Sequence, residues 1–343
     1  MLFADDLAID LGTATTRVHC ARRGELFDEP TVVARDRRTR EAVAVGSTAL
    51  EMVGRTPEAI EAVRPVRAGA ISDFEAAEAL LYCLIRATRN RISLTRPRVI
   101  LSMPAEATQL EKRALREAVL TAGAGEVFLL PAPLAAAMGA SEQVEQLAGH
   151  VIVDVGAGTT EVALLGHSGA VHQRTLPLGS GLLNEALAEY LKREHDLILG
   201  ARSIEALKHD LAKGVRGRIE LRGHSRVEGS PHSLEVDADE LRVTFEAPLA
   251  GILAAIKSVV VEAPPELCAD AANESVLLSG GGSLLRGFDR ALEKTIFLPV
   301  VRVQDPRSAV VRGCCACLTQ LDELKELALE RPRPVAPLEA CPF

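Results

Sequence analysis

Leu7-Ala-Ile-Asp-Leu-Gly-Thr-Ala-Thr-Thr-Arg-Val18 and Val151-Ile-Val-Asp-Val-Gly-Ala-Gly-Thr-Thr-Glu-Val162 follow one pattern. Aligned, Asp10 falls on Asp154, Gly12 on Gly156, Thr15 on Thr159 and Thr16 on Thr160. Each copy reads as an apolar strand ending in Asp, a Gly/Thr turn and a second strand, which is a β-hairpin. Glycine lets backbone N–H groups approach a ligand closely, and the hydroxyls add donors, so the tip suits a phosphate. The Asp before each tip suits a hydrated divalent cation, which takes oxygen ligands and keeps its waters. One such turn is weak evidence. Two copies, each opening a similar half, predict two like domains clamping one phosphate tail between them.

Composition narrows the classes. A chain of 343 residues, 48% apolar, is long enough for two cores, and with 3% aromatics and no Trp those cores are aliphatic. A net charge of −8 argues against general nucleic-acid binding. No run reads as long and apolar enough to span a bilayer, and the N-terminus lacks signal-peptide regions. The cysteines are odd in number, and Cys314, Cys315 and Cys317 are too close together for a zinc pattern, so they read as small core residues.

Between and after the hairpins, residues 7–36 read as a meander and 31–66 as a small insertion. Asp73 looks like an N-cap for a helix carrying Ala77, Leu80, Leu81 and Leu84 on one stripe. Residues 89–98 form a basic stretch with Ile92 and Leu94 between the charges. A helix is expected from about Glu106 to Ala122, and an Ala-rich segment follows Pro131. In the second half, Ser203 is expected to cap a helix with Glu205 and Lys208 at i, i+3, a spacing that usually means a surface ion pair. Ser275–Ser283 reads as a buried strand running into Gly280-Gly-Gly282.

The paired hairpins resemble the phosphate motifs of the actin/Hsp70/sugar-kinase superfamily. Longer stretches resemble the MreB/Mbl family: Glu29-Pro-Thr-Val-Val33, Met52-Val-Gly-Arg-Thr-Pro57, Arg64-Pro-Val-Arg-Ala-Gly69, Pro264-Pro-Glu-Leu267 and Leu284-Leu-Arg-Gly-Phe-Asp289. The resemblance implies an α/β, actin-like (ribonuclease H-like) fold. Its duplicated domains each hold a mixed five-stranded sheet flanked by helices, with two small inserted subdomains. The expected halves are 1–145 (small subdomain 31–66) and 146–327 (small subdomain 182–243). A terminal helix, 308–327, should pack back on the first half, and 328–343 should be a disordered tail. It also implies ATP with Mg²⁺ as ligand. Gly12, Thr13, Ala14, Thr15, Gly156, Ala157, Gly158 and Thr159 would hold phosphate, Asp10 and Asp154 the metal, Glu205 and Lys208 the nucleoside, and Gly280, Gly281 and Gly282 the adenosine ring. Ile92 and Leu94 would enter the inner membrane. The implied protein forms homopolymeric filaments in the cytoplasm, peripheral to the inner membrane, where it works with cell-wall synthesis proteins and contributes to cell shape; no nucleic-acid partner is expected.

Three positions depart from that pattern. Ala132 stands where the family carries the Glu that orients the attacking water, Gly181 where it carries an Asp, and Thr15 where it usually has Asn. Losing a positioned acid–base group costs about 10²–10⁴-fold in rate, so at most a slow ATPase is expected. Thr159, Thr160 and Glu161 are the remaining candidates for holding that water. The alternatives are a nucleotide-poor pseudo-actin scaffold, or an ATPase or small-molecule kinase of the same superfamily.

Overall fold

The computed structural model describes residues 5–88, 95–140, 148–166 and 169–319. The first half opens with β1 (Leu7–Leu11), β2 (Thr15–Cys20) and β3 (Gly24–Pro30), an antiparallel meander. There follow β4 (Val33–Asp36), β5 (Ala42–Val45), α1 (Gly46–Met52) and β6 (Ile60–Val63), which make a three-stranded sheet, and the ribbon β7 (Val66–Arg67) and β8 (Ala70–Ile71). Then come α2 (Phe74–Thr88), β9 (Arg98–Met103), α3 (Gln109–Thr121), β10 (Glu126–Pro131) and α4 (Ala132–Ala140). The main sheet has the order β10-β9-β1-β2-β3, with β1, β9 and β10 parallel.

The second half repeats the plan. Its meander is β11 (Val151–Val155), β12 (Thr160–Gly166) and β13 (Gly169–Leu176), followed by α5 (Gly181–Glu194), β14 (Leu197–Ile198) and α6 (Ala201–Lys213). Next are β15 (Arg218–Ser225), β16 (Pro231–Asp237), α7 (Ala238–Val243), α8 (Glu246–Val261) and α9 (Pro265–Ala271). The chain continues through β17 (Val276–Ser279), α10 (Phe288–Ile296), β18 (Val300–Arg302) and α11 (Ala309–Thr319). The order β13-β12-β11-β17-β18 matches the first sheet strand for strand, with β11, β17 and β18 parallel. β14, β15 and β16 form a second small sheet. The mixed five-stranded sheets expected of each half are therefore both present.

Alternation along the strands sends the two faces of each main sheet to different cores. In the first half Leu7, Ile9 and Val18 pack against α2 and α3. The opposite faces of both sheets contribute Ala8, Ile100, Ile152 and Ala163 to one shared core, which α4 and α11 fill. Those two helices touch backbone to backbone. A Cβ on Gly139 would lie 1.9 Å from Ala309 O, and one on Gly313 would lie 1.8 Å from Ala135 O. The described part of the terminal helix packs on α4 and on β1; residues 320–343, including the expected tail, lie outside the described residues.

Some local expectations are corrected. Thr108 caps α3, two residues past the expected start near Glu106: its hydroxyl accepts from Glu111 N while the Glu111 carboxylate accepts from Thr108 N, a capping box. Ser203 lies inside the first turn of α6, whose N-cap is Gly200. Asp73 does cap α2, accepting from Ala76 N at 3.1 Å. One helical run among the described residues, Ala238–Val261, is long and apolar enough by length and composition to cross a membrane, contrary to the sequence expectation. Its apolarity comes from Ala, Val, Leu and Ile, and the run is interrupted by Arg242, Thr244, Glu246, Pro248 and Lys257. In the fold it is two helices meeting at Thr244 and Phe245, and Ile252, Ile256 and Val259 of α8 are core residues.

Candidate functional site

The shared core ends where β1 and β11 end, and polar residues begin there. At the tip of the first hairpin Gly12 N donates to Thr15 O at 3.1 Å, and Thr31 braces the turn through its hydroxyl to Gly12 O (2.7 Å) and its N–H to Ala14 O (2.9 Å). At the second tip Gly156 N donates to Thr159 O at 2.8 Å. The Leu178–Gly181 loop backs it, with Ser180 N on Gly156 O (2.9 Å) and Gly181 N on Ala157 O (2.8 Å). The tips meet: a Cβ on Gly158 would lie 2.5 Å from Thr13 Oγ1. The turn between β7 and β8 reaches the same place. Gly69 N donates to Thr13 Oγ1 at 3.3 Å, and a Cβ on Gly69 would lie 3.3 Å from Thr159 Cγ2. The turns Gly12–Thr15 and Gly156–Thr159 are thereby brought together at one place between the halves. Thr160 is different: it is fully buried, and its hydroxyl donates to Leu178 O at 2.7 Å, so it holds the loop and has no face on the cleft.

Beneath the tips, the two sheets place carboxylates in equivalent positions. Asp10 lies opposite Arg17, and Asp154 lies opposite Glu161. Asp10 Oδ1 accepts from Ser102 Oγ at 2.8 Å, and Arg17 Nη1 stands 4.0 Å from Asp10 Oδ2 while its Nε reaches Asp28 at 3.2 Å. Burial raises the Asp10 carboxyl above the usual range, with Arg17 and Ser102 opposing. Asp154 is pushed up to about 7, chiefly by burial, with Ser279 opposing and the nearby Asp10 charge adding to the rise. Asp154 Oδ1 is buried without a hydrogen-bond partner among the described residues. An unpartnered buried oxygen facing a second carboxylate is a donor set for a hard divalent cation, so Asp10 and Asp154 fit Mg²⁺.

Glu161 joins the two halves. Its Oε2 accepts from Ala105 N in the first half (3.1 Å) and from Thr175 Oγ1 (2.8 Å). Burial pushes its carboxyl up to about 7 despite those two hydrogen bonds. Beside it Thr175 N donates to Glu106 Oε2 at 2.9 Å, and Arg174 pairs with Glu106 at 3.3 Å. The contacts between the halves escape a sequence reading because they join residues 56 to 69 positions apart with no shared motif.

The nucleoside candidates are linked to the second tip through α5. Asn184, in the first turn after Gly181, donates to Glu205, which pairs with the buried Lys208 at 2.7 Å and with His209 at 3.0 Å. Burial pushes the Glu205 carboxyl up, but His209, Lys208 and Asn184 outweigh it and hold it below the usual range. Gly280, at φ +82°, packs on Val155, where a Cβ would lie 2.3 Å from the carbonyl oxygen. Only glycine combines that dihedral with that approach. A Cβ on Gly282 would meet the Val155 side chain at 2.4 Å, whereas Gly281 faces open space. Arg286, just after the turn, lies against Gly214 at the end of α6, closing the ring of elements around the cleft. Ala132 opens α4 and packs against the shared core with a methyl group only. Ile92 and Leu94 lie outside the described residues.

The MreB/Mbl protein family model matches residues 4–326. The cell shape-determining protein MreB of Escherichia coli K12 is 38% identical over 330 residues, covering 94% of this chain and 95% of that protein. The cell shape-determining protein Mbl of Bacillus subtilis 168 is 34% identical over 332 residues, covering 96% and 100%. Among solved structures, MreB 5 of Spiroplasma citri bound to AMPPNP superposes with a TM-score of 0.87 at 26% identity, covering 94% of this chain and 98% of that one. The MamK double helical filament shares the fold, with a TM-score of 0.75 at 23% identity over 92% and 99%. Duplicated sheets, facing hairpins and near end-to-end likeness together place this chain in the MreB/Mbl family of actin-like, cell shape-determining cytoskeletal proteins.

Proposed function

We propose that this chain binds ATP with Mg²⁺ between its two halves and assembles with itself into filaments on the inner face of the cytoplasmic membrane, where they support cell-wall synthesis and cell shape. The observation that supports the reading is the meeting of Gly158 with Thr13, which brings the turns of the two repeated hairpins together. The nucleotide-bound Spiroplasma citri relative supports it. Bound nucleotide would contact both halves at once, and a ligand favours the conformation for which it has the higher affinity, here the closed one. Mg²⁺, held by Asp10 and Asp154, would offset phosphate charge. Membrane attachment is assigned to the basic stretch around Ile92 and Leu94, where each arginine near an anionic surface contributes about 1 kcal/mol.

Hydrolysis is proposed to be slow, because Ala132 supplies no proton acceptor and Thr160 is engaged with Leu178 O. Calorimetry with ATP-Mg²⁺, followed by electron microscopy of the protein with ATP and anionic vesicles, tests the reading. Heat of binding and membrane-bound filaments are the expected result. No heat at high protein concentration would instead favour a scaffold that works without nucleotide.

A further inference from the structure

The two Asp positions are equivalent, but their surroundings are not. Asp154 faces Glu161, whereas Asp10 faces Arg17. Arg17 is 8% exposed and sits on the face of the first sheet that carries Asp10. Its Nε is anchored on Asp28 at 3.2 Å, and Asp28 is itself bound by Arg307 at 3.2 Å from just before α11. The Nη1 end is 4.0 Å from Asp10, outside hydrogen-bonding distance, so charge alone holds it there. Its field also reaches Asp154 across the cleft, where it favours the ionised carboxylate.

A guanidinium stays protonated at any working pH and matches phosphate oxygens with a planar fork. One fixed by its Nε on Asp28, with Nη1 4.0 Å from Asp10 and not hydrogen-bonded to it, resembles a permanent counter-ion. From this geometry we infer that Arg17 is a built-in cation for the polyphosphate: it neutralises Asp10 and turns its free end to the phosphate tail, so nucleotide binding in this chain depends only weakly on a divalent ion. The inference rests on the nucleotide reading above and specifies how that cleft meets phosphate charge.

The test is the affinity of the full chain for a fluorescent ATP analogue, titrated in Mg²⁺ and again in EDTA. For the natural protein, removing the metal should weaken binding by less than about tenfold. Losing a hydrogen bond to a charged group costs about 10–100-fold, so Arg17→Leu should lose at least that much in EDTA and far less in Mg²⁺. Arg17→Lys keeps the charge and should retain most of the EDTA binding; melting without nucleotide verifies that each variant folds. Should Arg17→Leu not fold, Asp28→Asn, which loosens the anchor, carries the comparison and should weaken affinity in EDTA more than in Mg²⁺, with Arg17→Lys as the charge-retaining control. Strict Mg²⁺ dependence of the natural protein, unchanged by these substitutions, would overturn the role of Arg17 and leave the nucleotide reading standing. Absence of binding in both buffers would overturn both.

Discussion

Thr13 and Gly158 are in contact across the cleft, one from each half of a duplicated chain, with no room for a methyl group between them. The contact makes Gly158 a gauge of closure. Gly158→Ala would bring a carbon within 2.5 Å of the Thr13 hydroxyl, so the tips must separate. Calorimetry should show ATP-Mg²⁺ binding weakened by about tenfold or more, in line with overpacking costs of 1–3 kcal/mol. Melting of the nucleotide-free protein should change little, because the tips lie outside both main cores. Unchanged affinity would mean that the tips do not close on the ligand.

Glu161 predicts a pH dependence. Its carboxyl is raised to about 7, so between roughly pH 4.5 and 7 the folded chain keeps a proton that the unfolded chain releases. Stability therefore falls as pH rises through that window, and above it the buried carboxylate is carried at full cost. Glu161→Gln preserves an oxygen to accept from Ala105 N and Thr175 Oγ1 without the charge. It should stabilise the protein at pH 8 by up to about 3 kcal/mol, with the gain vanishing near pH 4.5. Denaturant melts at the two pH values measure this, and an equal gain at both would point to packing instead.

Gly313→Ala should be among the most damaging single-methyl changes in the chain. The added carbon would lie 1.8 Å from Ala135 O, on a backbone that cannot rotate away. Forcing α4 and α11 apart should lower stability by about 1–3 kcal/mol or more, read from the denaturation midpoint. Gly123→Ala is a useful contrast: no atom lies within 4 Å of its new carbon, so its cost is set by φ +111° alone.

Ala132→Glu should restore a group able to orient water. Phosphate release under single-turnover conditions is expected to rise by about 10²-fold or more. An unchanged rate would show that hydrolysis in this cleft is limited elsewhere.

Much of this fold is written locally. The Asp-x-Gly hairpins state their own turn chemistry, and their recurrence announces the duplication that the matching strand orders bear out. The Thr108 capping box is local too, a Thr-x-x-Glu that sets the start of α3 two residues past the expected Glu106. What could not be read is pairing at long range. Nothing near Gly313 marks it as the neighbour of Ala135, and no spacing shows that Glu161 would accept from Ala105. Alignment sets Arg17 on Glu161, but only burial reveals that both side chains are enclosed. Glu205 and Lys208 read as a surface pair, whereas Lys208 is buried and Asn184 completes the cluster.

Gly139 and Gly313 let α4 and α11 touch through main chain, and Cys317 Sγ and Met138 Sδ pack 3.4 Å apart between the same two helices. Main chain packed that tightly leaves no gap to take up movement, so a displacement of either helix passes directly to the other. Because α4 follows β10 and α11 follows β18, that contact ties together the end strands of the two main sheets.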